Sequence, residues 1–388
     1  MRRKVRKLFS FPIFFLCIFT IQISGQNWSG LIRLTWNSGW SYHPSVAVDS
    51  GGVIHVAYYD NTNPFEDIYY KRSTNGGTSW SPPSRLSWVP GYSGCPSLAA
   101  DSGMGIHLVW FDNTTGNNEI YYKRSTDGGV SWSPPTRLTW NSGTSVFPAV
   151  AVDSSGGIHV VWADSNPGND EIYYKRSTNG GASWCPPMRL TWTYELSSGA
   201  AIAVDASDGI HVVWNDRTPG DYEIFYKQST DRGVSWSAPV RLTWNPKPSH
   251  SPSIAADSGS GIHVVWTDKS PVFEFDVLHY KKSTDSGASW SGITRLTWQI
   301  RVPWYPCIAA DSMGGVHVAW CGDADVNGDI YFKQSLDSGV TWSGITRLTW
   351  NPGSSEYPAI AAEPGGAIHV VWHDTSPGNA EIYYKNRK

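Results

Sequence analysis

Two stretches of this chain concentrate side chains that can hold a ligand. One reads NSGWSYH and carries Trp40, Tyr42 and His43; the other reads QIRVPWY and carries Arg301, Trp304 and Tyr305. A third, SPVFEFDV, adds Phe273 and Phe275 and lies in a connection two residues longer than its counterparts. Aromatic rings beside Arg, Asp and Glu suit a sugar, whose C–H faces stack on the rings while its hydroxyls pair with the polar groups. The same composition suits a protein interface, where Trp, Tyr and Arg dominate the binding energy. The third reading is internal: the rings pack the loops or plug a central channel. Trp40 and Trp304 weigh most, because they are the only two of the 22 tryptophans that fall outside a repeat.

An acidic stretch lies close by in sequence. In GDADVNGD, residues 322–329, Asp323, Asp325, Asn327 and Gly328 fall at positions 1, 3, 5 and 6 of a calcium loop. Hard oxygens at alternate positions converge on one Ca2+ and Gly permits the sharp turn, but position 12 holds Gln334 where the bidentate Glu belongs. A solvated polar turn is the alternative. Beyond Ca2+ no cofactor is expected.

Other reactive side chains recur along the chain and read as scaffold. His55, His107, His159, His211, His263, His317 and His369 are spaced by 52 residues, and once by 54. One imidazole per repeat cannot converge on a single metal, so these are expected to be hydrogen-bonded core histidines. Acidic pairs such as Asp164 and Glu171 bracket most of the same connections. They are expected to cap loops, not to form the two-carboxylate centre of a glycosidase. Cys95, Cys185, Cys307 and Cys321 lack the CxxC spacing of metal or redox sites. Cys307 and Cys321 flank one predicted hairpin and could pair across it; free buried thiols are the alternative.

The elements that must position these groups follow from the repeat. Each unit contains four short apolar segments, of the types SIAVD, IHVVW, EIYYK and RLTW, punctuated by Gly, Asp, Asn and Pro. No segment has a helical period. Four strands in about fifty residues, repeated, predict an all-β propeller of seven four-stranded antiparallel blades. The repeats start with NWSGLIRLTW, residues 27–36, a fourth strand with no blade before it, and finish with EIYYKNRK, a third strand with no fourth. The first strand therefore completes the last blade, closing the ring with one strand from one terminus and three from the other. The twenty repeat tryptophans are expected to pack between blades. The connections that carry Trp40, Phe273 and Trp304 should share one face, where a rigid scaffold displays its variable loops.

Residues 1–25 read as a secretory signal peptide, with a basic start, an apolar run and a small-residue cleavage context, leaving 26–388 as one domain. A secreted, periplasmic or extracellular protein is expected. Without that leader the formal net charge moves from −3 to −8 and no cluster of Lys or Arg remains, so nucleic acid is a poor partner and no membrane insertion is expected.

The stretch STDGGVSW, residues 125–132, occurs six times in slightly altered form. Asp127, Asp231, Asp285 and Asp337, or Asn75 and Asn179, can accept hydrogen bonds from the turn, and the following Gly can take positive φ. The pattern S-x-D-x-G-x-[ST]-W resembles the Asp box, or BNR repeat, of the sialidase-like propeller superfamily, across 26–388. That resemblance implies boxes on the face away from the functional site, and names a fold, not an activity. Family sialidases are six-bladed and bind the substrate carboxylate with three arginines. Here most arginines repeat with the blade, Arg232 lies inside a box, and only Arg217 and Arg301 remain; IRVP, residues 300–303, is similar to the family's Arg-Ile-Pro motif but precedes the last box. The expected function is therefore non-catalytic glycan binding through Trp40, His43, Phe273, Phe275, Arg301, Trp304 and Tyr305. A sialidase-like exo-glycosidase and a protein-interaction scaffold are the alternatives.

Overall fold

The run Ile-His-Val-Val-Trp is apolar without alternation because its strand is covered on both faces. In Ile158–Asp164 every residue is buried. Ile158, Val160 and Trp162 pack with Val109 and Ile120 of the preceding blade, while Val161 and Ala163 pack with Ile210 and Trp214 of the following one. Each such Val or Ile contributes roughly 1.5–3 kcal/mol, so the core is a set of seven inter-blade layers.

A computed structural model describes residues 27–88, 90–166, 168–269, 276–298, 301–323 and 327–388, with only the backbone described at 301 and 302. It contains seven four-stranded antiparallel sheets, six built from consecutive strands and the seventh completed by Ile32–Arg33 on the outer edge of Glu381–Arg387. Arg33 seals this closure by pairing with Glu381 at 2.8 Å, and Leu34 N–H donates to the Ile382 carbonyl at 2.7 Å. The first strands touch one another around a closed ring and so line a central channel. The seven-bladed propeller read from the repeat is the architecture found. Residues 1–25, for which a signal peptide is expected, lie outside the described residues.

The boxes are turns that also bind blades together. Asp127 accepts hydrogen bonds from the Ser125 hydroxyl at 2.7 Å and from the amides of Val130 and Ser131 at 3.0 and 2.9 Å. Hydrogen bonds from the Ser131 hydroxyl, then from its amide, hold this carboxyl well below the usual range. Trp132 meets Tyr70 of the preceding blade edge-on at 5.0 Å. Gly129, at φ +80°, lies so close to that Tyr70 hydroxyl that a Cβ would stand 1.9 Å from it. The same hydroxyl reaches His55 Nδ1 at 2.6 Å, and His55 Nε2 faces Asp49 at 3.2 Å. The repeated histidines are thus core histidines, as expected, each facing a carboxylate at 2.8–3.4 Å.

One blade departs from this network, and the closure explains why. His317 has Phe332 where the others have Tyr, and its Nδ1 is left without a partner. Phe332 faces the blade whose box is replaced by Trp28, which packs on it edge-on at 4.9 Å. Without a box there is no glycine backbone for a hydroxyl to press against. The Arg387 guanidinium lies over both rings instead, at 5.6 and 5.0 Å.

Three expectations are corrected. The tryptophans ending RLTW do not pack between blades: Trp36, Trp88, Trp140, Trp192, Trp244, Trp298 and Trp350 are all exposed on the outer rim. Each lies against an Arg of its own strand and a Lys of the next blade, such as Arg137 at 5.8 Å and Lys175 at 5.2 Å from Trp140, contacts worth roughly 0.5–1 kcal/mol at exposed sites. Cys307 and Cys321 do not face each other: the ladder sets Cys307 opposite Ala319 and Cys321 opposite Trp304, and both thiols are free. Finally, Tyr42, His43, Trp304 and Tyr305 lie in first strands, not in loops, because Ser41–Val48 and Arg301–Ala310 start earlier than the SIAVD pattern indicates.

The acidic pairs are structural, as expected. Asp164 accepts from Asn141, Ser145 and Trp162, and Glu171 from Arg189 and the Thr193 amide.

Candidate functional site at the channel mouth

The early start of the first strands depends on a bulge. In all seven blades the ladder between the first two strands shifts register around one residue with φ between +44° and +64°: His43, Cys95, Phe147, Gly199, Ser251, Tyr305 and Tyr357. The left-handed conformation costs roughly 1–2 kcal/mol where the residue is not Gly. A proline follows in six of the seven blades, where a bulge leaves an amide without a ladder partner. The bulge turns these seven side chains inward over the end of the channel. They and the following residues line one cavity of about 480 Å³.

The lining breaks the sevenfold symmetry. Three neighbouring blades supply Tyr305, Tyr357 and His43, whereas Gly199 and Ser251 leave the far side open. Tyr305 and Tyr357 stack with centroids 3.9 Å apart and planes at 24°, and the Tyr357 hydroxyl donates to that of Tyr305 at 2.8 Å. His43 lies 3.8 Å from Tyr357 and 5.5 Å from Tyr59. The aromatic belt continues through Tyr92 and Phe111 to Phe147, with successive centroids 5.5–6.4 Å apart. Tyr305 and Phe147 remain 41 % and 53 % exposed, so each ring keeps surface open to a ligand.

Among the described residues the cavity lining is uncharged, and carboxyls lie close by. Burial lowers His43 to about 4, and burial followed by the neighbouring His43 lowers His373 to about 3, so both imidazoles are neutral. Glu66 and Glu356 flank Tyr42, and burial raises both carboxyls. The Tyr92 hydroxyl bonds to Glu66, and burial pushes Tyr92 up to about 12. Among the described residues no Lys or Arg lines the cavity. Such a site can stack on apolar ring faces and offer hydroxyl and carboxyl groups at the rim.

The site brings together only part of the predicted set. His43 and Tyr305 line the cavity. Trp40 is 40 % exposed outside it and stacks on Tyr42 at 5.7 Å. Trp304 is half-buried against the core and hydrogen-bonds Asp276 of the preceding blade. Arg301 is placed by its backbone alone, opposite Asp323. Phe273, Phe275 and Asp325 lie outside the described residues. Asp323 ends its strand opposite Gly328, its carboxyl raised by burial and by Asp329, and Asn327 donates to the Pro352 carbonyl. Among the described residues no three His, Cys, Asp or Glu side chains are grouped to hold a metal. Sequence reading missed Tyr357, Phe147, Tyr59 and the flanking glutamates. Aligning the seven repeats on the proline after the bulge would have exposed that column.

No family model matches the chain. Over 179 residues, 45 % of the chain, it is 22 % identical to the protein transport protein sec13 of Aspergillus fumigatus, and the match spans 55 % of that protein's length. Among solved structures it resembles a polysaccharide lyase of family PL25, an ulvan lyase, with a TM-score of 0.65 and 13 % identity over 91 % of this chain and 95 % of the other. It also resembles a protein of unknown function from Dyadobacter fermentans, with a TM-score of 0.58 and 14 % identity over 92 % and 99 % of the two chains. The NanB sialidase of Streptococcus pneumoniae matches with a TM-score of 0.52 and 14 % identity over 92 % of this chain and 70 % of that enzyme. At these identities the likeness is one of fold: the chain is a seven-bladed β-propeller, and its overall fold resembles those of a sialidase and a polysaccharide lyase.

Proposed function

We propose that this is an exported carbohydrate-binding protein whose site is the channel mouth. The observation that carries the reading is the asymmetric lining. Seven equivalent bulges share one backbone conformation, yet three adjacent ones present stacked Tyr305, Tyr357 and His43 around a cavity of about 480 Å³. A volume of this size fits a short oligosaccharide. A pyranose face stacks on the open side of Tyr305, which Tyr357 and His43 support from behind, and the hydroxyls meet the edge carboxyls Glu66 and Glu356. Two of the propellers it resembles carry carbohydrate-cleaving names, which agrees with this reading. Ca2+ on Asp323, Asp325 and Asn327 would order the acidic connection beside Glu356, and Asp323 already acts on that carboxyl.

The test is a glycan array with residues 26–388, run in Ca2+ and in EDTA. Binding to one glycan class, weakened at least tenfold by Tyr357→Ala with melting unchanged, supports the reading. Silence across neutral, sialylated and uronic-acid glycans overturns it, and EDTA sensitivity reports on the calcium loop. A glycosidase is the second reading, favoured by the two raised carboxyls flanking Tyr42. A general acid needs such a carboxyl. Release of a reducing sugar from a bound glycan, lost in Glu356→Gln, would establish it.

A further inference from the structure

Away from the channel, the outer rim carries seven tryptophans that the core does not use. Trp36, Trp88, Trp140, Trp192, Trp244, Trp298 and Trp350 are 63–69 % exposed. A ring covered on both faces could not keep two thirds of its surface, so the Arg and Lys beside each one leave a face open. Each tryptophan stands at a cleft between its own blade and the next. The Lys of the next blade crosses that cleft and donates to the Leu carbonyl two residues before the tryptophan, as from Lys175 to Leu138 at 2.7 Å.

The cleft at Trp140 is a formed pocket of about 230 Å³. Trp140 and Tyr173 wall it, buried Trp162 forms its floor, and Asn141, Asp164 and Lys175 supply polar groups. Asn141 and Trp162 both donate to Asp164, at 2.7 and 3.0 Å, so the polar groups are already oriented. The ion pair of Arg137 with Glu119, at 2.8 Å, offsets the guanidinium beside the tryptophan and leaves Lys175 as the cation at the cleft. The volume falls below the roughly 300–1,000 Å³ of a drug-sized ligand site and suits one sugar ring. The repeat carries the Trp and the Lys around the whole rim, and the following Asn in four of the seven blades: Asn37, Asn141, Asn245 and Asn351.

We infer that the inter-blade clefts are a second, polyvalent set of carbohydrate sites, each stacking one pyranose residue on the exposed face of its rim tryptophan. This does not rest on the channel mouth. Single sites of this size bind weakly, and up to seven of them on one rigid ring gain strength on a polymer or a dense glycan surface by effective concentration.

The experiment uses residues 26–388 with methyl pyranosides of neutral hexoses, 6-deoxyhexoses and glucuronic acid, read by tryptophan fluorescence and by native mass spectrometry. One class of probe is expected to bind at several equivalent sites per chain with millimolar affinity. The matching polysaccharide should then bind at least a hundredfold more tightly. Trp140→Ala should remove one site from the count, and replacing all seven rim tryptophans by Ala should abolish polysaccharide binding. Should that sevenfold variant not fold, protection of the rim tryptophans from N-bromosuccinimide by the bound probe replaces it. Tyr357→Ala should leave the rim sites intact, which separates failure here from failure at the mouth. A stoichiometry of one or none, or a site count unchanged by Trp140→Ala, overturns the inference and leaves the rim tryptophans as covers for the Arg and Lys chains.

Discussion

The two faces of the ring hold the same seven blades to different standards. On the box face the turns repeat in detail: Asp127, Asp231, Asp285 and Asp337 each accept the same serine hydroxyl and turn amides. On the mouth face the backbone repeats just as closely, with seven left-handed residues, yet the side chains run from Gly to Tyr. A repeat that preserves both backbone and side chain is holding blades together. A repeat that preserves the backbone while its side chains diverge is a frame for something bound once.

That contrast can be broken in order of expected effect. Gly233→Ala on the box face should be the most damaging change. Its Cβ would stand 1.9 Å from the Tyr174 hydroxyl at φ +79°, and overpacking with backbone strain costs roughly 2–4 kcal/mol. Urea unfolding should show the loss while any glycan binding by the remaining folded protein is unchanged. At the mouth the pattern should reverse. Tyr357→Ala is expected to lower glycan affinity by about 1–3 kcal/mol in a titration, whereas Phe147→Ala, at the equivalent bulge beyond the stacked pair, should cost well under that. Equal losses from the two would mean the ligand does not recognise the asymmetric sector.

The third test uses acid. His43 and His373 titrate near 4 and 3 when folded, and near 6.5 when unfolded. Between about pH 6.5 and 4 the unfolded chain takes up protons that the folded chain refuses, so stability is full above that window and falls as pH drops through it. His373→Phe should flatten the dependence of the melting midpoint over that range; an unchanged slope would place the sensitivity elsewhere. The smallest effect should come from the odd blade. Phe332→Tyr gives His317 Nδ1 a partner and should stabilise by about 0.5–1.5 kcal/mol, while Tyr70→Phe strips one from His55 and should destabilise by about 1–3 kcal/mol. Opposite signs from the two in thermal melts would show that the His–Tyr pair contributes even where no box backs it.

The sequence and the structure agree where periodicity carries the information. The 52-residue spacing of the histidines and the split final repeat are enough to derive seven blades and their closure, because a strand covered on both faces must be continuously apolar and a ring must pair its last edge. The site was only half legible. His43 and Tyr305 stand out by composition, but Tyr357 follows an unremarkable Glu356 and carries no such signal. What unites these residues is a bulge, and a positive φ on a non-glycine residue leaves almost no mark in sequence beyond the proline after it. The rim tryptophans were misread for a different reason. A large apolar residue at a repeat position reads as core, and only the length of the fourth strand, two residues in every blade, shows that the chain has already left the sheet when it reaches them.

The closure has a consequence for how the ring is made. Arg33 and Glu381 are separated by 348 residues of chain, and the outer strand Ile32–Arg33 has no other sheet to join. Synthesis at about 5–20 residues per second leaves that segment waiting for tens of seconds while blades form behind it. Until Glu381–Arg387 arrives, the strand Ile368–Asp374 keeps an unpaired edge and the first blade keeps an uncovered apolar face, both of them templates for contact with other chains. Assembly of this protein is therefore decided at its last step, and a substitution that delays Arg33 from finding Glu381 should be read out as aggregation during synthesis before it is seen as a lower melting point.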